Sequence, residues 1–202
     1  KYNNKIIKNN LTSPDTITLH KNLEVLKKNN INNVIIEASS HGLAQKRLNN
    51  LNFKAGIFTN FSQDHLDYHK TMKAYLNAKM ILFSHLLPKN SYIISDQSNK
   101  QFSILKKISK RKKLKLLDIQ KKINQIKKIS TLFPSYYQQK NLSMAIMAAQ
   151  LCGLKDSKIT STLKKIKKIN GRFELIKKYP NNIKIYIDYA HTPDALTEVL
   201  KT

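Results

Sequence analysis

Three short apolar runs recur along this 202-residue chain: NVIIEA (Asn33 to Ala38), FKAGIFTNF (Phe53 to Phe61) and YIIS (Tyr92 to Ser95). Segments of helical periodicity separate them. β-Branched runs of this length read as buried strands, and strands joined through helices pair in parallel. The expected fold class is α/β, a mainly parallel sheet flanked by helices. Thr12-Ser13-Pro14-Asp15 predicts a helix start, with Ser13 as the cap and Pro14 in the first turn. Thr71 to Leu87 predicts a helix that Pro88 stops. Leu142 to Leu151 and Ser157 to Ile166 predict two more, the first buried. Beyond a break at Gly171-Arg172, Glu174 to Lys178 and Ile183 to Tyr189 read as strands. Thr192-Pro193-Asp194 then opens a last helix. Lys100 to Leu132 is lysine-rich and weakly periodic, and no element is assigned there.

The chemistry concentrates between Ile35 and Phe83. Ligands of parallel α/β sheets gather beyond the carboxyl ends of the strands. Glu37 and the run Asp64-His65-Leu66-Asp67-Tyr68-His69 both fall at expected strand ends. A carboxylate and an imidazole there suit a shared divalent cation such as Mg2+. The competing reading makes Asp64 a turn cap and His65 and His69 ordinary surface histidines. Lys79 is a sharper anomaly, because Tyr75, Leu76, Leu82 and Phe83 place it on an apolar helix face. Such an ammonium snorkels, pairs with a carboxylate, loses its charge, or reacts with CO2 as a carbamate. Ser39-Ser40-His41 lacks the strand-turn-helix frame of a nucleophilic serine. Ser39, Gln45 and Arg47 fit polar substrate contacts instead. The glycines are Gly42, Gly56, Gly153 and Gly171, so no phosphate-cradling glycine loop can be written.

Composition narrows the class. The chain is 41% hydrophobic, which is enough for a core, and its apolar runs are too short for a membrane span. The single Cys152 fits a reducing compartment, and a cytoplasmic protein is expected. The net charge of +25 comes almost entirely from lysine, with only Arg47, Arg111 and Arg172 as arginines. Arginine makes the favoured bidentate contacts to bases and phosphates. Lysines scattered among Asn and Ile read instead as a solvated surface, and no specific nucleic-acid partner is expected.

The motifs EASSHGLAQKR, FTNFSQDHLDYHKTMKAYLNAK, GRFE and DYAHTPDAL, in this order and spacing, resemble the Mur ligases. The resemblance runs from Leu11 to Thr202 and is weakest from Asp96 to Leu132. It implies a central ATPase domain over residues 1–171, lacking its phosphate loop. Residues 172–202 would be the first strands and helix of a Rossmann-like C-terminal domain. It also implies ATP and Mg2+ as cofactors, and a ligase that extends UDP-N-acetylmuramoyl-L-alanyl-D-glutamate by a free amino acid, meso-diaminopimelate or L-lysine. Glu37 and His65 would hold Mg2+, and Lys79 would be carbamylated. Thr12, Ser13, Ser39, Gln45 and Arg47 would contact the UDP-sugar peptide. Asn141 would lie by the adenine, with Arg172 and Asp188 on ATP. Ser135 and Gln138 stand where the family carries Gly and Asn, and Leu11 where it often carries Asn. Without the phosphate loop the chain is expected to be inactive alone. Folylpolyglutamate and cyanophycin synthetases, or a lysine-rich nucleic-acid-binding module, are the alternatives.

Overall fold

The structure, a computed structural model, describes residues 11–127, 133, 135–163, 165, 166 and 169–202. Two compact units divide it. The first comprises Lys1–Gly56, His65–Ile93 and Ser103–Leu116, and the second Ile57–Asp64, Ile94–Phe102 and Leu117–Thr202.

Strands β1 (Ala55–Phe58), β2 (Tyr92–Ser95) and β3 (Lys115–Asp118) form one sheet in that order. Tyr92 N donates to Lys54 O (3.1 Å), and Ser95 Oγ donates to Phe58 O (3.2 Å). Lys115 N donates to Ser91 O (2.9 Å), and Ile119 N to Ser95 O (3.1 Å). Partner numbers rise together across both pairs, so the strands run parallel, as expected.

The run Asn33 to Ala38 does not form the expected strand. A strand exists only through its ladder, and this run has no strand partner among the described residues. Its Ile35 is 88% exposed and Val34 44%. The second expected strand is shorter than its apolar run, Ala55–Phe58 rather than Phe53 to Phe61.

In the first unit, α1 (Thr16–Lys28) is capped by Asp15, whose carboxylate accepts from Thr18 N at 2.9 Å. Ser13 is not the cap, because its hydroxyl is taken up by contacts far along the chain. Two short helices, α2 (Ser40–Ala44) and α3 (Leu66–His69), pack on α4 (Met72–Ile81). The helix expected over Thr71 to Leu87 runs over Met72–Ile81 with Thr71 as its cap, and its last turn widens into a π-helical segment, Leu82–Leu86. Leu43, Tyr75, Ala78, Met80 and Phe83 are buried here. A Cβ at Gly56 of β1 would lie 2.9 Å from Phe83 Cε1, so this strand approaches the π-helical segment as only glycine allows.

The stretch without a prediction contains α5 (Phe102–Lys112), β3 and α6 (Gln120–Lys127); residues 128–132 lie outside the described residues. In the second unit α6 packs on α7 (Tyr136–Leu151), and α7 on α8 (Asp156–Leu163). Ile94, Ile119, Ile123 and Met144 form one buried cluster, and Ile126, Leu142, Ile146 and Ile159 another. The helix expected over Ser157 to Ile166 ends at Leu163, and Lys164 lies outside the described residues. Strands β4 (Glu174–Lys178) and β5 (Lys184–Ile187) form an antiparallel pair bulged between Leu175 and Lys177. The last helix, α9 (Pro193–Leu200), is capped by Thr192, as the Thr-Pro-Asp signal predicts.

Candidate ligand-binding site

Four of the residues expected to contact substrate form one hydrogen-bonded lattice in the first unit. Ser13, fully buried, donates from Oγ to Glu37 O (2.8 Å) and accepts from Ser39 N (3.0 Å). Ser39 Oγ lies 3.0 Å from Ser13 Oγ and accepts from Gly42 N (3.1 Å), which caps α2. Arg47 Nη1 donates to Ser13 O (3.0 Å), while its Nη2 donates to Gln45 Oε1. Gln45 Nε2 donates in turn to Tyr68 Oη (3.1 Å). Glu37 joins through its main chain, leaving its side chain exposed, and Thr12 is exposed one residue before the lattice.

Imidazoles and phenol rings make a second group in the same unit. His65 is exposed and sits in a left-handed conformation (φ 54°) at the start of α3. Its ring lies 5.0 Å from that of His41 and 5.6 Å from that of Tyr75. Lys79 is half-buried, its Nζ 5.0 Å from the Tyr75 ring centroid, a cation–π arrangement. Tyr75 therefore lies against both His65 and Lys79. His69 is buried rather than at the surface, stacked on Tyr75 at 5.2 Å, with Nε2 2.9 Å from Ser40 Oγ. Burial lowers its pKa, and positive charge on His41 and His65 lowers it further. Ser40 is thus paired with an imidazole 29 residues away rather than with its neighbour His41.

The residues expected at ATP lie in the second unit. Asp188 accepts from Phe173 N and from Ala190 N, both at 2.7 Å. The Arg172 guanidinium is 4.6 Å from the Tyr189 ring centroid. Asn141 is exposed on α7. Ser135 and Gln138 cap this helix reciprocally. One turn before Asn141, the Tyr137 phenol is pushed up by burial and further by the Asp188 charge. Its Oη is buried without a hydrogen-bond partner among the described residues. Asp64 Oδ2 lies 3.7 Å from His191 Nε2.

Sequence reasoning did not single out Tyr68, Tyr75, Tyr137, His191 or the pair Asp96 and Lys140. Only Asp96 carried a sequence signal, as the first polar residue after the YIIS strand.

A parallel three-stranded sheet joined through helices places the chain in the α/β class, whose ligands gather beyond the strand ends. Residues 1–151 match the Mur ligase middle domain, and the chain belongs to the Mur ligase family. Within it, the chain is 33% identical over 228 residues to the UDP-N-acetylmuramoyl-L-alanyl-D-glutamate–2,6-diaminopimelate ligase of Leptospira interrogans. That alignment covers 100% of this chain and 45% of the relative. The ligase of the same name from Rickettsia bellii is 35% identical over 94% of the chain and 44% of its own length. A solved structure of such a ligase superimposes with a TM-score of 0.70 at 25% identity, covering 94% of this chain and 43% of that one. MurF from Acinetobacter baumannii shares the fold, with a TM-score of 0.56 at 16% identity over 72% of this chain and 36% of its own. The chain thus spans less than half the length of the curated relatives it matches. No helix among the described residues is long and apolar enough to cross a membrane.

Proposed function

We propose that this chain is the nucleotide-binding part of an ATP-dependent acid–amino-acid ligase of peptidoglycan synthesis. Its substrates would be UDP-N-acetylmuramoyl-L-alanyl-D-glutamate and 2,6-diaminopimelate. The observation that carries this reading is identity of 33% to a ligase of that name along the whole chain. Residues 1–171 belong to the central domain and 172–202 to the start of the C-terminal one. A glutamate carboxylate oxygen attacks the γ-phosphorus of ATP, and ADP leaves. The amine then attacks the resulting acyl phosphate, and phosphate leaves with a new amide bond formed.

Ser39, Gln45 and Arg47, with Thr12 alongside, bind the UDP-sugar peptide, and Ser13, buried with its hydroxyl taken up by Glu37 and Ser39, holds them from beneath. Their mutual hydrogen bonds hold these groups in place before substrate arrives, which lowers the cost of ordering them. Asn141 lies by the adenine, and Arg172 and Asp188 contact ATP. Glu37 and His65 hold Mg2+, an ion that usually takes one or two protein ligands and fills its remaining positions with water and phosphate. Both side chains are exposed in the first unit, and a carboxylate with an imidazole is a donor set a divalent cation accepts. When bound, the ion supplies positive charge against the oxygens of the transferring phosphoryl group. Lys79 as a carbamate supplies an anion that positions it.

The test is phosphate release by the protein translated from its complete reading frame. Release that requires ATP, the UDP-linked dipeptide and diaminopimelate together supports the reading. Release indifferent to the dipeptide, or faster with L-lysine than with diaminopimelate, overturns it.

A further inference from the structure

Beyond the carboxyl ends of β2 and β3, the second unit carries a buried polar network with no part in the scheme above. Asp96 directly follows β2 and is fully buried. Its Oδ2 accepts from Lys140 Nζ (2.6 Å) and Ser98 Oγ (2.6 Å). Its Oδ1 accepts from Gln120 Nε2 (2.6 Å) and Ser98 N (2.9 Å). Lys140 Nζ also donates to Ser98 Oγ (3.2 Å) and stands 4.7 Å from the Tyr136 ring centroid. Burial pushes the Asp96 carboxyl up, but Lys140, Ser98 and Gln120 outweigh it and hold the pKa at about 2. The Asp96 carboxyl is therefore ionised at neutral pH.

Stability alone is a poor reason for such a pair. Asp96 is taken wholly out of water and Lys140 mostly so (side chain 22% exposed), which costs much of what their attraction returns, and an apolar pair of the same volume is often as stable. What the pair does supply is a fixed geometry. Asp96 lies at the strand ends where ligands of parallel sheets bind. Lys140 directly precedes Asn141 on α7. The start of that helix is tied down elsewhere too, by the Ser135–Gln138 cap and by Gln139 Nε2 donating to Phe133 O (3.2 Å).

We propose that Asp96 is a positioning residue of the nucleotide site: by holding Lys140 it fixes the first turns of α7 and with them the direction of Asn141. This rests on the reading of Asn141 as a nucleotide contact. Two charges 44 residues apart in the chain, invisible to local pattern, would thus set the aim of a neutral amide.

The experiment measures Mg-ATP affinity and thermal midpoint in the protein translated from its complete reading frame. It compares wild type, Asn141→Ala, Asp96→Asn and the double variant Asp96→Asn/Lys140→Met. Asp96→Asn alone leaves a buried ammonium without its counter-charge and lowers the midpoint. The double variant removes both charges, and its midpoint returns towards wild type. The proposal expects the double variant to bind Mg-ATP roughly tenfold more weakly all the same, the worth of one misdirected hydrogen bond. If Asn141→Ala weakens binding and the double variant binds like wild type, the pair is structural and the proposal is overturned. If Asn141→Ala binds like wild type, or the wild type itself does not bind Mg-ATP, the nucleotide reading of Asn141 fails and the proposal with it.

Discussion

Ser13 Oγ donates a hydrogen bond to the carbonyl oxygen of Glu37, 2.8 Å away and 24 residues on in the chain. A hydroxyl has one proton to give and two lone pairs. Ser13 gives its proton to Glu37 and accepts from Ser39 N, which leaves one lone pair for the Ser39 hydroxyl. Ser39 Oγ accepts from Gly42 N, so its own proton is available for Ser13. The lattice is therefore fully assigned. It holds the segment around Glu37, which has no strand ladder, by side-chain bonds instead.

Ser13→Ala is expected to destabilise the chain by about 1–3 kcal/mol, because the Glu37 carbonyl and Ser39 amide each lose a buried partner. Urea denaturation measures this as a lower midpoint with an unchanged m-value. An unchanged midpoint would show that water replaces the hydroxyl without cost.

Gly42→Ala is expected to cost about 1–3 kcal/mol through overpacking. The new Cβ would stand 2.7 Å from Ser13 Cβ and 2.9 Å from its Oγ. In a Ser13→Gly background both clashing atoms are gone, so the same substitution should cost less. A double-mutant cycle reads the coupling directly. Additive costs would place the strain elsewhere, with Ser39 Oγ at 3.1 Å the next atom to meet.

Lys79 stands among buried Tyr75, Ala78 and Met80 on α4, with Nζ against the Tyr75 ring. If it carries a carbamate, carbon-13 bicarbonate will give a carbonyl resonance from the protein that Lys79→Ala abolishes. A resonance that survives Lys79→Ala belongs to another amine. No resonance in wild type would show that Lys79 keeps its free amine against the Tyr75 ring.

Local signals were legible where the structure depends on local chemistry. Thr192 caps its helix as read, because a hydroxyl needs only its own next turn. Tyr92 to Ser95 is a strand with β1 on one side and β3 on the other. Asn33 to Ala38 has the same β-branched character but no ladder partner among the described residues, and pairing cannot be read from one strand. The elements α5, β3 and α6 lay in a stretch passed over as lysine-rich. Ile119, Ile123 and Ile126 keep helical spacing, with polar residues between them, and are buried, so the helix signal of α6 was present in the sequence. Within the candidate site, the residue types were legible and their partners were not. Ser40 with His69, Gln45 with Tyr68 and Asp96 with Lys140 are 29, 23 and 44 residues apart.

His69 makes the fold sensitive to acid. Burial, and then the charges of His41 and His65, lower its folded pKa below the 6.5 of an unperturbed imidazole. Below that value the unfolded chain binds more protons at this position than the folded one, so stability rises with pH. Its contribution is complete above about pH 6.5 and is lost as pH falls through the folded pKa. Urea midpoints taken from about pH 7.5 down to about pH 5.5 should fall more steeply in wild type than in His69→Gln. The difference in slope can reach about 1.4 kcal/mol per pH unit, the limit for one proton. Gln keeps a polar group within reach of Ser40 Oγ and cannot titrate in this range, so the comparison isolates the proton from the packing. Equal slopes would mean that protonated His69 is accommodated in the fold, with Ser40 Oγ turning to accept from Nε2.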